Sequence, residues 1–430
     1  MRPKYIVATS LLVLAVLVGW YFWSNSTPQQ RQSTQTKNRD SQPVQTPATG
    51  KLTEQGEVVS LTAEQTEALI RQTNKSYSGK ANPVKQQTFR YTMLDTNGET
   101  VQIYGRAFMP SGGPSKNLSV YAFAPGTTGI DDQCAPSLEV PAKRNLANYA
   151  SHMAAYASEG YAVVTIDYEG FRDPSRMHHY MVGALEGRAL LDGVRALSNL
   201  PLSKDRISKD SVFLAGYSQG GHAAFWADEI AASYAPELTI KGVVGFGPVT
   251  DVRQTLTDTT RGANILWFGP YVLYSYSDWY KETYPLNSIL MPPFATNLSS
   301  DIAKNCIDTN IQYWGNRDIN KVYTKQFIDA MKTGSVAAVS PAFDERMRQN
   351  LAADVKTPSR KLIVHGRQDN VVLVGQSDVA VKRLCSLGNS VNYRVLKDAT
   401  HYTTMTQGFS EVLQWMGATK AGTQVSTDCR

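Results

Sequence analysis

The chain has 430 residues, 42% of them hydrophobic and 19% charged, a composition that can bury a large core and excludes an intrinsically disordered protein. Its net charge of +6 is concentrated at one end: Arg2, Lys4, Arg31, Lys37 and Arg39 against Asp40 put four of those charges into residues 1–40, so no basic surface for nucleic acid is left on the body. The four cysteines, Cys134, Cys306, Cys385 and Cys429, lie far apart with no CxxC pair, which argues against a zinc site and leaves disulfides open.

At the N-terminus Arg2 and Lys4 precede an apolar run over residues 5–23, broken only by Thr9, Ser10 and Gly19. As a helix this run reaches about 29 Å, close to the thickness of a bilayer core. The basic flank places the N-terminus in the cytoplasm and the body outside. Trp20, Tyr21, Phe22 and Trp23 stand where a cleavage site needs small residues, so an uncleaved signal anchor is favoured over a cleaved signal peptide. Residues 24–60, rich in Ser, Thr, Gln and Pro up to about residue 57, read as a disordered linker.

The folded part is expected to begin near Leu61 with a short helical segment. Short apolar runs at 101–108, 119–124, 161–166, 211–215, 240–246, 361–365 and 391–396 then read as strands. Helical patterns fall between several of them, at 153–158, 184–200 and 221–234. In the helix at 184–200, Leu185, Leu190, Leu191, Val194 and Leu197 share one face. Strands alternating with helices predict an α/β protein with a doubly wound, mostly parallel sheet, its core formed by residues 61–250 and 357–430. Between 251 and 356 the alternation stops and aromatic residues and prolines accumulate, so this stretch reads as an inserted, largely helical cap.

The strand at 211–215 runs into Gly216-Tyr217-Ser218-Gln219-Gly220-Gly221, and a helix follows at once. This is the strand–turn–helix setting of a G-x-S-x-G nucleophile elbow, and it predicts an α/β-hydrolase fold with Ser218 as nucleophile. A serine hydroxyl needs a base, and the base needs a group that fixes its tautomer. Of six histidines, His152, His178 and His179 precede the serine, His222 lies on the elbow's own helix and His365 ends a strand. His401 follows the last strand and precedes a helical pattern at 403–416, the place where this fold presents its base. Asp369, in the loop after the strand at 361–365, is the candidate acid, with Asp251 as its rival at the preceding strand end. Backbone N–H groups of Gln219 and of Thr127, in Pro125-Gly126-Thr127-Thr128-Gly129, are the candidate oxyanion donors. Thr128 and Asp131 remain alternatives to Thr127.

These residues resemble the secretory lipases, the family that includes Candida antarctica lipase A and many bacterial members. The resemblance rests on Pro125-Gly126-Thr127-Thr128-Gly129 with Asp132-Gln133-Cys134-Ala135-Pro136-Ser137, on Asp167-Tyr168-Glu169-Gly170, on His179-Tyr180 with Gly183 and Gly187-Arg188-Ala189, on the elbow with His222, and on His365-Gly366 with Asp369. It implies a triad of Ser218, Asp369 and His401, a cap like residues 251–356, and disulfides Cys134–Cys306 and Cys385–Cys429. The expected activity is hydrolysis of a carboxylic ester, in particular a lipid ester, through an acyl-enzyme, with no metal or organic cofactor. The expected location is outside the cytoplasm, periplasmic or extracellular, with residues 5–23 as a membrane anchor. Two rivals share these residues: an exported acyltransferase or peptidase with the same triad, and a non-catalytic binding protein on the same scaffold.

Overall fold

The computed structural model describes residues 49–75, 77, 79–113, 116–139, 149–303, 305–315, 317–423 and 426–429. The expected anchor and the linker up to residue 48 lie outside these residues. No helix among the described residues is long and apolar enough to cross a membrane.

The described residues contain nine strands in one sheet: β1 (Leu52–Leu61), β2 (Val84–Leu94), β3 (Thr100–Pro110), β4 (Leu118–Ala124), β5 (Ala162–Ile166), β6 (Ile207–Tyr217), β7 (Ile240–Phe246), β8 (Arg360–Gly366) and β9 (Val391–Leu396). Their order across the sheet is β1-β2-β3-β5-β4-β6-β7-β8-β9. The β1–β2, β2–β3 and β3–β5 pairs are antiparallel; every pair from β5–β4 to β8–β9 is parallel. Parallel neighbours require crossovers, which the helices Ala150–Ser158, Gly183–Asn199, Gln219–Tyr234 and Val374–Ser386 supply. The doubly wound, mostly parallel sheet expected of the sequence is present.

Period-two alternation divides the central strands between two cores. On β4, Val120, Ala122 and Ala124 join one core while Tyr121 and Phe123 join the other, and β6 repeats this with Val212 and Leu214 against Phe213 and Ala215. Helices Ala150–Ser158 and Phe409–Lys420 cover the second face with Met153, Tyr156, Val412 and Trp415. Because both faces are covered, these strands are continuous apolar runs and were legible as such.

The linker expectation fails at its C-terminal end. Residues 52–60 belong to β1, which pairs with β2 through a backbone ladder from Leu52↔Tyr91 to Leu61↔Val84. As an edge strand it exposes most of its side chains, so its sequence carries no apolar alternation. The helix expected near Leu61 is Ala63–Arg71, started by a capping box in which Thr62 and Gln65 exchange hydrogen bonds.

Residues 251–356 join β7 to β8 and contain eight α-helices and no named strand among the described residues. Most of their rings are packing: Phe268, Tyr271, Tyr276, Phe294, Trp314 and Tyr323 are all buried in the main core.

Candidate active site

β6 delivers Ser218 to the carboxyl end of the sheet. Its backbone has φ 56 and ψ −115, and the helix Gln219–Tyr234 starts at the next residue. The turn is so tight that a Cβ on Gly216 would stand 1.8 Å from the Gly220 carbonyl oxygen, and one on Gly220 would stand 1.8 Å from that of Ala124. Glycine at both positions is therefore a steric requirement. The turn is pinned by two backbone bonds, Ser218 N–H to the Phe246 carbonyl at 3.0 Å and Val249 N–H to the Ser218 carbonyl at 3.1 Å. The positive end of a 16-residue helix dipole thus points at the space beside Ser218.

His401 follows β9 and opens a short turn of 3-10 helix. Its Nδ1 stands 2.7 Å from Asp369 Oδ2. The other oxygen of Asp369 accepts the N–H groups of Val371 and Val372, both at 2.9 Å. His365 Nε2 lies 3.2 Å from Asp369 Oδ2, while its ring is held by Ser377 Oγ at 2.7 Å and the Val372 carbonyl at 2.8 Å. Burial alone raises the pKa of Asp369, but two imidazoles and their hydrogen bonds outweigh it and hold the carboxyl far below the ordinary range. The rival Asp251 is occupied elsewhere: it caps the helix Val252–Asp258, accepting the Gln254 N–H at 3.0 Å.

Ser218 and His401 line one cleft of about 400 Å³ together with Thr127, Tyr149, Tyr217, Trp267, Ile307, Ile311, Val371 and Tyr402. His401 is the histidine of the six that borders this cleft. His152 is bonded to Tyr121 OH at 2.8 Å in the core, where burial lowers its pKa to about 3. His222 is buried between Glu186 and the Asn350 carbonyl, each at 2.7 Å.

The oxyanion candidates are held by side chains outside the cleft. The Gln219 amide donates to Glu186 Oε1 at 2.7 Å and to His178 Nε2 at 2.8 Å, which fixes the first turn of the helix. Thr127 Oγ1 is paired with Tyr180 OH at 2.9 Å, and Tyr168 OH donates to the Pro125 carbonyl at 2.5 Å. The Thr128 carbonyl accepts the Ile307 N–H at 2.9 Å. Three residues beyond Asp131, whose side chain caps a short 3-10 turn, Cys134 is bonded to Cys306, and Cys385 is bonded to Cys429. No group of three or more His, Cys, Asp or Glu among the described residues could hold a metal ion.

A family model described as secretory lipase matches residues 148–427. The chain belongs to the secretory lipase family. Among its curated relatives, lipase A of Moesziomyces aphidis is 34% identical over 188 residues, covering 42% of this chain and 38% of that protein. Lipase 1 of Candida albicans is 25% identical over 326 residues, 74% of this chain and 68% of that protein. The chain thus spans well under half of the first relative and about two thirds of the second. Among solved structures, the rice cell wall degrading esterase LipA from Xanthomonas oryzae superposes with a TM-score of 0.67 at 20% identity, over 87% of this chain and 97% of that one. The closed state of Candida antarctica lipase A gives 0.65 at 21% identity, over 89% and 84%. These neighbours establish the α/β-hydrolase fold.

Several residues that matter to this family member's site were not singled out by sequence. Tyr217 packs against His401 with ring centroids 4.8 Å apart and planes tilted by 37°, and Tyr402 meets the His401 ring edge-on at 5.8 Å. Ile307 and Ile311, one helical turn apart on Ile307–Gly315, line the cleft from the segment between β7 and β8, and that i, i+4 spacing was the available signal. Of the aromatic rings between residues 251 and 356, Trp267 alone borders the cleft among the described residues. Glu186 is buried between Gln219 and His222, on a helix of which the sequence singled out only the leucine and valine face.

Proposed function

We propose that this chain is a carboxylic ester hydrolase acting on lipid esters through Ser218, His401 and Asp369. Ser218 Oγ attacks the ester carbonyl while His401 takes its proton, and the proton passes to the departing alcohol. Water then attacks the acyl-enzyme with the same imidazole as base, which releases the acid and restores the serine. Asp369 fixes the tautomer of His401 and stabilises the imidazolium. The N–H groups of Gln219 and Thr127 bind the oxyanion. None of these steps requires a metal or an organic cofactor.

The observation that carries this reading is that Ser218, at φ 56, borders the same cleft as His401, whose far nitrogen is 2.7 Å from Asp369. Family membership supports the reaction class, and the apolar lining by Trp267, Ile307, Ile311 and Val371 supports a lipid acyl chain. Two disulfides and the basic-then-apolar N-terminus support an enzyme that works outside the cytoplasm. Labelling with a fluorophosphonate probe tests the nucleophile: wild type is labelled and Ser218→Ala is not. A panel of matched esters and amides tests the bond, and amides cleaved faster than esters would move the assignment to a peptidase.

A further inference from the structure

We propose that Glu186 is a positioning residue for the oxyanion site: one of its carboxylate oxygens ties together the two chain segments that carry the backbone donors of Gln219 and Thr127. This rests on the reading of Ser218, Gln219 and Thr127 given above. Glu186 lies in the first turn of the helix Gly183–Asn199 and is 1% exposed. A carboxyl group buried so deeply is stable only where partners offset its desolvation. Its Oε1 accepts two donors, the side-chain amide of Gln219 at 2.7 Å and the backbone N–H of Met181 at 3.1 Å. Its Oε2 lies 2.7 Å from His222 Nδ1. His222 Nε2 faces the Asn350 carbonyl at 2.7 Å and carries a hydrogen there, so one further proton lies between His222 and Glu186. Glu186 does not line the Ser218 cleft, and whatever it does for the reaction it does through these neighbours.

The first link runs through Gln219. Its side-chain NH2 donates one hydrogen to Glu186 and the other to His178 Nε2 at 2.8 Å; the reverse orientation would set the amide oxygen against the carboxylate. His178 is free to accept because burial lowers its pKa to about 4, and its Nδ1 donates to the Glu169 carbonyl at 3.1 Å. The Gln219 side chain is thereby left one arrangement, which holds the backbone N–H next to Ser218 in one direction.

The second link runs through Met181, whose φ of 60 lies in the left-handed region. A buried methionine stays there only where its surroundings over-determine it. Glu186 accepts its N–H, and its carbonyl accepts the Tyr276 hydroxyl at 3.0 Å. The residue before it, Tyr180, is bonded through its own hydroxyl to Thr127 Oγ1 at 2.9 Å. The loop that carries Thr127 is therefore referenced to the same carboxylate oxygen as Gln219. Donors held in place beforehand need no reorganisation as charge develops on the carbonyl oxygen, and that is the source of their effect on rate.

The test compares Glu186→Leu and Glu186→Gln on a p-nitrophenyl ester, with active sites counted by fluorophosphonate labelling carried to completion. In Glu186→Leu both Oε1 bonds are lost, and kcat per active site should fall by about 10² to 10³, the scale of one oxyanion donor, with KM little changed. The Ki of a trifluoromethyl ketone, which adds to Ser218 as a tetrahedral oxyanion, should rise by the same factor as kcat/KM falls. Glu186→Gln should return kcat to within about tenfold of wild type, because its amide oxygen still accepts from Gln219 and Met181 while its NH2 donates to a neutral His222. A role in folding alone would lower the melting temperature and leave kcat per active site and the ketone's Ki unchanged, and that result overturns the proposal. Equal loss in both variants also overturns it, since the bonds to Gln219 and Met181 would then not be the cause. If Glu186→Leu does not fold, Gln219→Leu removes the same side-chain bond and keeps the backbone N–H, and wild-type kcat in that variant overturns the proposal as well. Failure of the underlying reading is seen separately, as hydrolysis that persists in Ser218→Ala.

Discussion

Ile307 donates its backbone N–H to the carbonyl of Thr128 at 2.9 Å, one residue after Cys306 is bonded to Cys134. The helix that lines one side of the cleft is therefore sewn to the loop that carries Thr127. Replacing Cys134 and Cys306 together by serine should lower both stability and turnover. Closing a 172-residue span contributes about 5 kcal/mol at most in the chain-entropy view, against about 4 for the 44-residue Cys385–Cys429 span. Denaturant titration and ester kinetics on the two double mutants check this. Equal loss of turnover from both would argue against a special role for the first bridge.

Asp369→Asn should lower kcat by orders of magnitude, about 10⁴ in the serine-protease template, because an amide no longer fixes the tautomer of His401. Asp251→Asn should change turnover little, since asparagine caps a helix about as well as aspartate. Steady-state kinetics on an activated ester separates the two, and a larger loss at Asp251 would reassign the acid.

Gly247 packs against the pair of His401 and Asp369. Its φ is 48, and a Cβ there would stand 3.1 Å from Asp369 Oδ2 and 3.3 Å from His401 Nδ1. Alanine costs about 1–2 kcal/mol for the left-handed backbone and also crowds the two side chains. Gly247→Ala should thus reduce kcat by far more than its stability loss implies. Wild-type turnover in a variant with a lowered melting temperature would show that the contact is only structural.

The strands from β3 to β9 and the elbow were legible because they satisfy local and global demands at once, whereas β2, though Phe89, Tyr91 and Met93 are buried in the core, was not read from the sequence. β7 and β9 needed no shift at either end: β7 is a central strand buried from Gly242 to Phe246, whereas β9 is the half-exposed edge strand and was read from Val391, Tyr393, Val395 and Leu396, and Gly216 and Gly220 mark the elbow by sterics alone. β1 was not legible: its pairing with β2 is made by backbone, and Val58 and Val59 are both about half exposed. The motifs Asp167-Tyr168-Glu169 and His179-Tyr180 were visible without a role. Their hydroxyls on Pro125 and Thr127 belong to contacts 43 and 53 residues apart, which no periodicity encodes.

His179 should make stability depend on pH. It bridges Glu169 at 2.6 Å and Asp278 at 2.9 Å, joining the loop after β5 to the helix Phe268–Trp279. Burial disfavours its charged form, but the two carboxylates outweigh burial and raise its pKa. A folded-state value above the unfolded one means that this contribution is full below about pH 6.5 and is lost as pH rises through the raised value. His152 and His178, lowered by burial to about 3 and about 4, act oppositely and lose their contribution as pH falls below about 6.5. Melting temperatures of wild type and His179→Gln should accordingly converge between pH 6 and 9. A constant gap across that range would reject the assignment.

The last prediction concerns the acyl chain. Trp267, Ile307, Ile311 and Val371 give the Ser218 cleft an apolar wall, and burial of one methylene contributes about 0.8 kcal/mol, close to fourfold in affinity. On monomeric p-nitrophenyl esters, where the alcohol is held constant, kcat/KM should rise from acetate to octanoate until the cleft is filled, by at most about fourfold per methylene. Ile311 lies on the cap side, away from Ser218, His401 and Thr127 in sequence and on a different element, so enlarging it shortens the space without touching the triad. Ile311→Trp should therefore lower the efficiency on octanoate at least tenfold relative to acetate, with fluorophosphonate labelling retained. A wild-type preference for acetate over octanoate would make this a small-ester esterase. An Ile311→Trp profile that keeps the wild-type optimum would place the acyl chain against another wall.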